Sequence, residues 1–170
     1  CIRDRRNFSS PYNESITGGP IRKPPGLDVV TTQYPMSLEL NSVPEAVEAI
    51  RGGEIVIVID AEDRENEGDF IIAAEKATPE KINFMLSGRG QLCVSILPDV
   101  CKRLELVPVV AQNDAPLQTA FLTPIDTRLA KTGITAAERS ETIRKLASSD
   151  CKADDFVRPG HVYPLLAKQG

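Results

Sequence analysis

Glu54-Ile55-Val56-Ile57-Val58-Ile59-Asp60 is the stretch on which the fold turns, five β-branched residues in a row between two acids. Such a run predicts a strand buried on both faces, because a strand with one wet face alternates polar and apolar residues. Upstream, Ser42-Val43-Pro44-Glu45 has the spacing of a capping box, and Val43, Ala46, Val47 and Ile50 follow at i, i+3, i+4 and i+7. Gly52-Gly53 ends that helix. Downstream, beyond an acid-rich loop, lies a second short apolar stretch, Phe70–Ala74.

Further along, Thr78-Pro79-Glu80 opens a helix with proline at its first position and Ile82, Met85 and Leu86 on one side. Leu92–Leu97 reads as a strand, Pro98–Leu104 as a short helix and Ala120–Ile125 as a further strand. Thr135-Ala136-Ala137-Glu138 is a second capping box, starting a helix that runs to about Ala147, and His161–Leu166 is extended. Helices and strands interleave, which predicts an α+β (α/β-like) class with a mixed β-sheet flanked by helices. Residues 1–41 read differently: Gly18-Gly19-Pro20, Pro24-Pro25-Gly26 and Pro35 interrupt any regular element. They are expected to form a disordered or surface-draped leader ahead of one domain over 42–170.

Composition narrows the function. The 170 residues carry 20 Lys+Arg against 24 Asp+Glu, a net charge of −4, which argues against nucleic-acid binding driven by phosphate neutralisation. No apolar stretch, Ile55–Ile59 included, approaches the roughly 20 residues a bilayer span needs, so no membrane role is expected. Cys1, Cys93, Cys101 and Cys151 stand apart without a CxxC pair, which reads as four unpaired thiols in a reducing compartment. A first residue other than Met reads as a processed product or fragment. Arg3, Arg5 and Arg6 among serines and threonines fit the tail of a transit segment.

Two features carry chemistry. Asp60, Glu62, Asp63, Glu65, Glu67 and Asp69 are six acids in ten positions directly after the strand, with Arg64 the one cation among them. Clustered carboxylates repel unless a cation holds them, and hard oxygen ligands of this kind suit Mg2+. If the loop is extended, Glu65, Glu67 and Asp69 share a side; a solvated acidic loop is the alternative. The spacing does not follow the EF-hand calcium pattern. His161, the sole histidine, follows a turn set by Pro159-Gly160, and its ordinary pKa suits proton transfer. Thr132-Gly133 precedes the second capping box, where free N–H groups near Thr135 would receive a phosphate; a simple turn is the plainer explanation.

Asp63-Arg64-Glu65-Asn66-Glu67-Gly68-Asp69 after a β-branched strand resembles the signature of the 3,4-dihydroxy-2-butanone 4-phosphate synthases of riboflavin biosynthesis. Thr78-Pro79-Glu80, Cys93-Val94, Thr119-Ala120-Phe121, the segment Thr132–Arg139 and the segment Asp155–Leu165 match in the same order, over about residues 43–170. The resemblance implies a Mg2+-dependent (or Mn2+-dependent) carbon–carbon lyase converting ribulose 5-phosphate to formate and 3,4-dihydroxy-2-butanone 4-phosphate. It implies that Glu65 holds metal and substrate, that Arg64, Asp69 and Thr132 contact substrate, and that Asp69 and His161 are catalytic. It also implies a homodimer in which His161 serves its partner's pocket. The leader and the region Cys151–Asp155 are similar to plant bifunctional proteins, which implies a fused GTP cyclohydrolase II domain and a plastid location, with the cytoplasm as the alternative. Gly170 falls just before the family's Gly-Gly-His-Thr-Glu segment, which brings a second metal ligand, so this chain by itself is expected to be inactive. Leu86-Ser87-Gly88-Arg89-Gly90 stands where the family has Arg-His-Gly-Ser-Gly, and Lys131 replaces a threonine. Those changes fit the other reading, a degenerate non-catalytic domain kept for dimerisation or scaffolding.

Overall fold

A computed structural model describes residues 40–61 and 63–168. The leader up to residue 39, with Cys1, and Glu62 of the acidic run lie outside the described residues. The first helix, α1 (Val43–Gly52), starts where the capping box places it: the Glu45 carboxylate accepts the Ser42 backbone N–H and the Ser42 hydroxyl, each at 2.8 Å. Those bonds hold the Glu45 carboxyl below the usual carboxylate range. Gly53, at φ 88°, closes the helix in the left-handed region.

The decisive run forms β1 (Val56–Ile59), antiparallel to β2 (Gly68–Ile71), with Val56 opposite Ile71 and Ile59 opposite Gly68. The strand is where it was expected; its burial is not. Ile57, Val58 and Ile59 are 48–54% exposed, and α1 has no buried residue. β-branching sets the extended backbone, whereas burial depends on what lies against the strand, and here that is chiefly β2 and α1.

The second sheet is mixed, in the order β3 (Cys93–Ile96), β5 (Phe156–Leu166), β4 (Ile125–Thr127), with β3 parallel and β4 antiparallel to β5. Between them in sequence come α2 (Pro79–Leu86), α3 (Pro98–Arg103) and α4 (Ala136–Ala147). The expected strand over Ala120–Ile125 is corrected: Pro124, lacking an N–H, precedes a ladder that begins only at Ile125, and Phe121 and Leu122 form single bridges. The expected turn at Pro159-Gly160 falls inside the bounds of β5 and breaks its ladder with β4: Ile125 lies opposite Val162 but Asp126 opposite Val157, so residues 158–161 fall between the two pairs. Gly160 has to be bare there, since a Cβ would lie 2.0 Å from the Ile125 carbonyl carbon.

The core sits between this sheet and the α2–α4 pair. Ile82 and Met85 of α2 and Ile143 and Leu146 of α4 close over Ile125, Phe156 and Val162. Buried hydroxyls fix α4 in place. Ser140 donates to the Ala77 carbonyl at 2.6 Å, and the Thr142 hydroxyl accepts the Thr127 N–H at 2.8 Å while donating to the Glu138 carbonyl. Cys93, Cys101 and Cys151 are free thiols, and no described helix is long and apolar enough to cross a membrane.

Candidate active site

The acidic segment turns rather than extends. The Arg64 and Asn66 N–H groups both donate to the Ala61 carbonyl, and Asn66 takes a left-handed φ of 50°. Glu65, Glu67 and Asp69 therefore do not line one side of an extended loop; only Asp69 lies in a strand, opposite Val58. The turn spends one carboxylate on its own closure. Asp60 accepts the Glu65 N–H at 3.0 Å and the Arg64 guanidinium at 2.7 Å. The Glu65 N–H, with Arg64 adding to it, holds the Asp60 carboxyl below its usual range, and Asp60 in turn raises Arg64. The Glu65 carboxylate touches only Arg64, at 3.5 Å, among the described residues. Its side chain is 26% exposed.

His161 projects from β5 onto a residue that the sequence reading passed over. The Asp126 carboxylate accepts the His161 backbone N–H at 2.9 Å through one oxygen and faces Nδ1 at 2.7 Å through the other. A carboxylate can only accept, so the neutral ring carries its proton on Nδ1 and presents Nε2 as a free base. The Asp126 side chain is 7% exposed and that of His161 is 41% exposed, so the buried charge is paired while the ring still reaches solvent. The available signal was an acid placed inside an apolar segment, Ile125-Asp126, which must find a partner once buried.

Gly133 lies directly on this pair. It is buried at φ 74°, and a Cβ there would lie 1.9 Å from Asp126 Oδ2 and 2.8 Å from His161 Nδ1. The loop containing it is held by Glu138, whose carboxylate accepts the N–H groups of Lys131 (2.7 Å), Thr132 (3.2 Å) and Thr135 (3.3 Å) and the hydroxyls of Thr132 and Thr135. The Lys131 N–H and the Thr135 hydroxyl lead in holding the Glu138 carboxyl down at about 2. Of the N–H groups near Thr135, those of Lys131, Thr132 and Thr135 go to the protein's own carboxylate, and Thr132 is turned to Glu138.

The structure joins Arg64 with Glu65, and His161 with Asp126. Neither Glu65 nor Asp69 bonds to His161 among the described residues. Cys93 of β3 pairs with Tyr163 of β5, two residues from His161. Burial pushes the Cys93 thiol up, and the negative charge of Asp69 adds to the rise. An apolar cavity of about 230 Å³ separates β2 from β3 and is lined by Phe70, Ile71, Val94 and Leu165. No three metal-binding side chains converge among the described residues. The weakly engaged Glu65 carboxylate fits a Mg2+ ion that keeps most of its waters and takes one or two protein oxygens.

Comparison with known proteins covers the segment that contains these residues. The family model described as 3,4-dihydroxy-2-butanone 4-phosphate synthase matches residues 44–170. Over 129 residues the chain is 53% identical to the riboflavin biosynthesis protein RibBA of Bacillus velezensis, covering 75% of this chain and 32% of that protein. Over 134 residues it is 51% identical to the 3,4-dihydroxy-2-butanone 4-phosphate synthase of Wolinella succinogenes, covering 78% and 39%. Among solved structures, a 3,4-dihydroxy-2-butanone 4-phosphate synthase in complex with two magnesium ions superposes with a TM-score of 0.73 at 38% identity, covering 77% of this chain and 62% of that one. RibBX, a two-domain synthase from A. baumannii, gives 0.72 at 43% identity, covering 75% and 38%. The chain spans 32–39% of the length of these two curated relatives.

Proposed function

The chain belongs to the 3,4-dihydroxy-2-butanone 4-phosphate synthase family, and from that premise we propose that it serves a Mg2+-dependent carbon–carbon lyase of riboflavin biosynthesis. The reaction divides ribulose 5-phosphate into 3,4-dihydroxy-2-butanone 4-phosphate and formate, four carbons and one, with no outside oxidant or reductant. The observation that carries the reading is the family match over residues 44–170, which takes in Arg64, Glu65, Asp69 and His161 together. A non-catalytic scaffold has no need of a paired histidine whose Nε2 is open to solvent.

Glu65 holds the divalent ion, Mg2+ or Mn2+, which when bound polarises substrate oxygens as a Lewis acid. Arg64, already raised by Asp60, is a fixed cation for the anionic substrate. Asp69 binds hydroxyls and moves protons. His161 takes a proton at Nε2, and Asp126 keeps Nδ1 protonated and steadies the imidazolium that forms. The reading includes a homodimer, supported by apolar side chains such as Ile57 and Val107 that the single chain leaves more than half exposed. A fused second domain, GTP cyclohydrolase II, is supported by the chain's share of its curated relatives and by the two-domain organisation of RibBX.

The test is formate release from ribulose 5-phosphate by the protein at its natural full length. Turnover is expected with Mg2+ and is expected to disappear on chelation. Glu65→Ala should abolish it while far-UV circular dichroism is unchanged, because a metal-holding carboxylate whose one bond among the described residues is a 3.5 Å contact with Arg64 gives little to the core. Absence of formate from the wild-type protein with Mg2+ present overturns the reading.

A further inference from the structure

We propose that Glu138 is a positioning residue that holds the 131–135 loop down on the His161–Asp126 pair. Its two carboxylate oxygens take five donors, three backbone N–H groups and two hydroxyls, and these lie on both sides of Gly133. Gly133 in turn has no room for even one more carbon against Asp126 Oδ2 and His161 Nδ1. The peptide at Gly133 is therefore the lid over a buried carboxylate, and Glu138 fastens that lid at both ends. From below, the pair is fixed through β4: the Thr127 N–H next to Asp126 is held by Thr142, whose hydroxyl donates to the carbonyl of Glu138 itself. One residue thus sets the floor and the cover of the pair. With the lid released, water reaches Asp126 and competes with Nδ1–H for its oxygen, and the imidazole loses the reason to keep its proton on Nδ1. The inference rests on the proposed function only in taking the pair as proton-transfer machinery.

His161 is the one histidine within the 170 residues, and in the 15N-labelled protein at its natural full length its imidazole nitrogen signals are those that disappear in His161→Gln. At a pH where the ring is neutral, the wild-type chain is expected to show Nδ1 protonated and Nε2 bare. Glu138→Ala should shift the ring to the Nε2–H form that free imidazoles favour. Glu138→Gln, which replaces one acceptor oxygen with a donor, should give a mixture of the two forms. Thr135→Val removes the side-chain cap of α4 and leaves Lys131 and Thr132 held, so it should lower the melting temperature and keep the wild-type spectrum. A folded Glu138→Ala chain with the wild-type spectrum overturns the proposal, as does an equal shift in Thr135→Val. If Glu138→Ala does not fold, Glu138→Gln decides: a mixture supports the proposal and an unchanged spectrum overturns it. Formate release is read separately, so a wild-type protein without turnover sinks the function and leaves this result standing.

Discussion

Asp126 and Glu138 are both carboxylates, and their surroundings give them opposite work. Asp126 is buried and faces the one imidazole, so it serves the proton chemistry. Asp126→Asn puts an amide where the carboxylate steadied the ring. In the full-length protein this is expected to lower turnover by roughly 10²–10⁴-fold, the usual worth of a general acid–base group, measured as formate release. A variant within twofold of wild type would remove the pair from the mechanism. Glu138 lies at the surface, and the Lys131 N–H and Thr135 hydroxyl favour its charged form, so its carboxyl sits at about 2 rather than 4.5. A depressed folded pKa contributes stability above the ordinary value, and that stability is lost as pH falls towards the folded one. The melting-temperature gap between wild type and Glu138→Gln should therefore be constant above pH 5 and close between about 4.5 and 2. A gap that widens on acidification contradicts the assignment.

At the level of elements, α4 is the part that brings loop, strand and helix into one geometry. Thr142 is fully buried and gives the buried Thr127 N–H its acceptor. Thr142→Val keeps the shape and leaves that N–H without an acceptor, at an expected cost of roughly 1–3 kcal/mol in urea unfolding. A change below about 0.5 kcal/mol, the range of ordinary surface substitutions, would mean that the bond does not hold β4 to α4. Both α4 and α2 were legible in the sequence, because Thr135-x-x-Glu138 and Thr78-Pro79 satisfy helix-end N–H groups locally. The bounds of β4 and β5 were not. Gly160 and Pro159 look like the end of any strand in a local reading, and only the close passage of Ile125 and the pairing of Asp126 with Val157 show that β5 resumes on both sides of them.

Across the whole molecule, burial separates residues of the same type. Ile82 is 1% exposed and Ile57 is 54% exposed, although both are isoleucines in regular elements. Ile82→Ala is expected to cost roughly 2–5 kcal/mol, and Ile57→Ala less than about 1 kcal/mol, within the span of strand propensities. Chemical denaturation of the two variants measures the difference. An Ile57→Ala cost equal to that of Ile82→Ala would show that β1 is covered in solution, as a homodimer would cover it. The same contrast explains why the run at 55–59 read as a doubly buried strand: chain preference encodes extension, and cover is supplied by elements far away in sequence.

The sequence by itself determined the family, the α+β class and the starts of α2 and α4, and it singled out Arg64, Glu65, Asp69 and His161 as candidates, because these are written in contiguous motifs and local spacings. Tertiary structure alone decided that Asp126 meets His161 across 35 positions, that Gly133 has to be bare to cover them, and that Glu138 reaches back to the N–H groups of Lys131 and Thr132. Those facts depend on which backbones pass within van der Waals distance of one another. Such distances are set by the packing of α4 on β4 and β5, and no local pattern of residues records them.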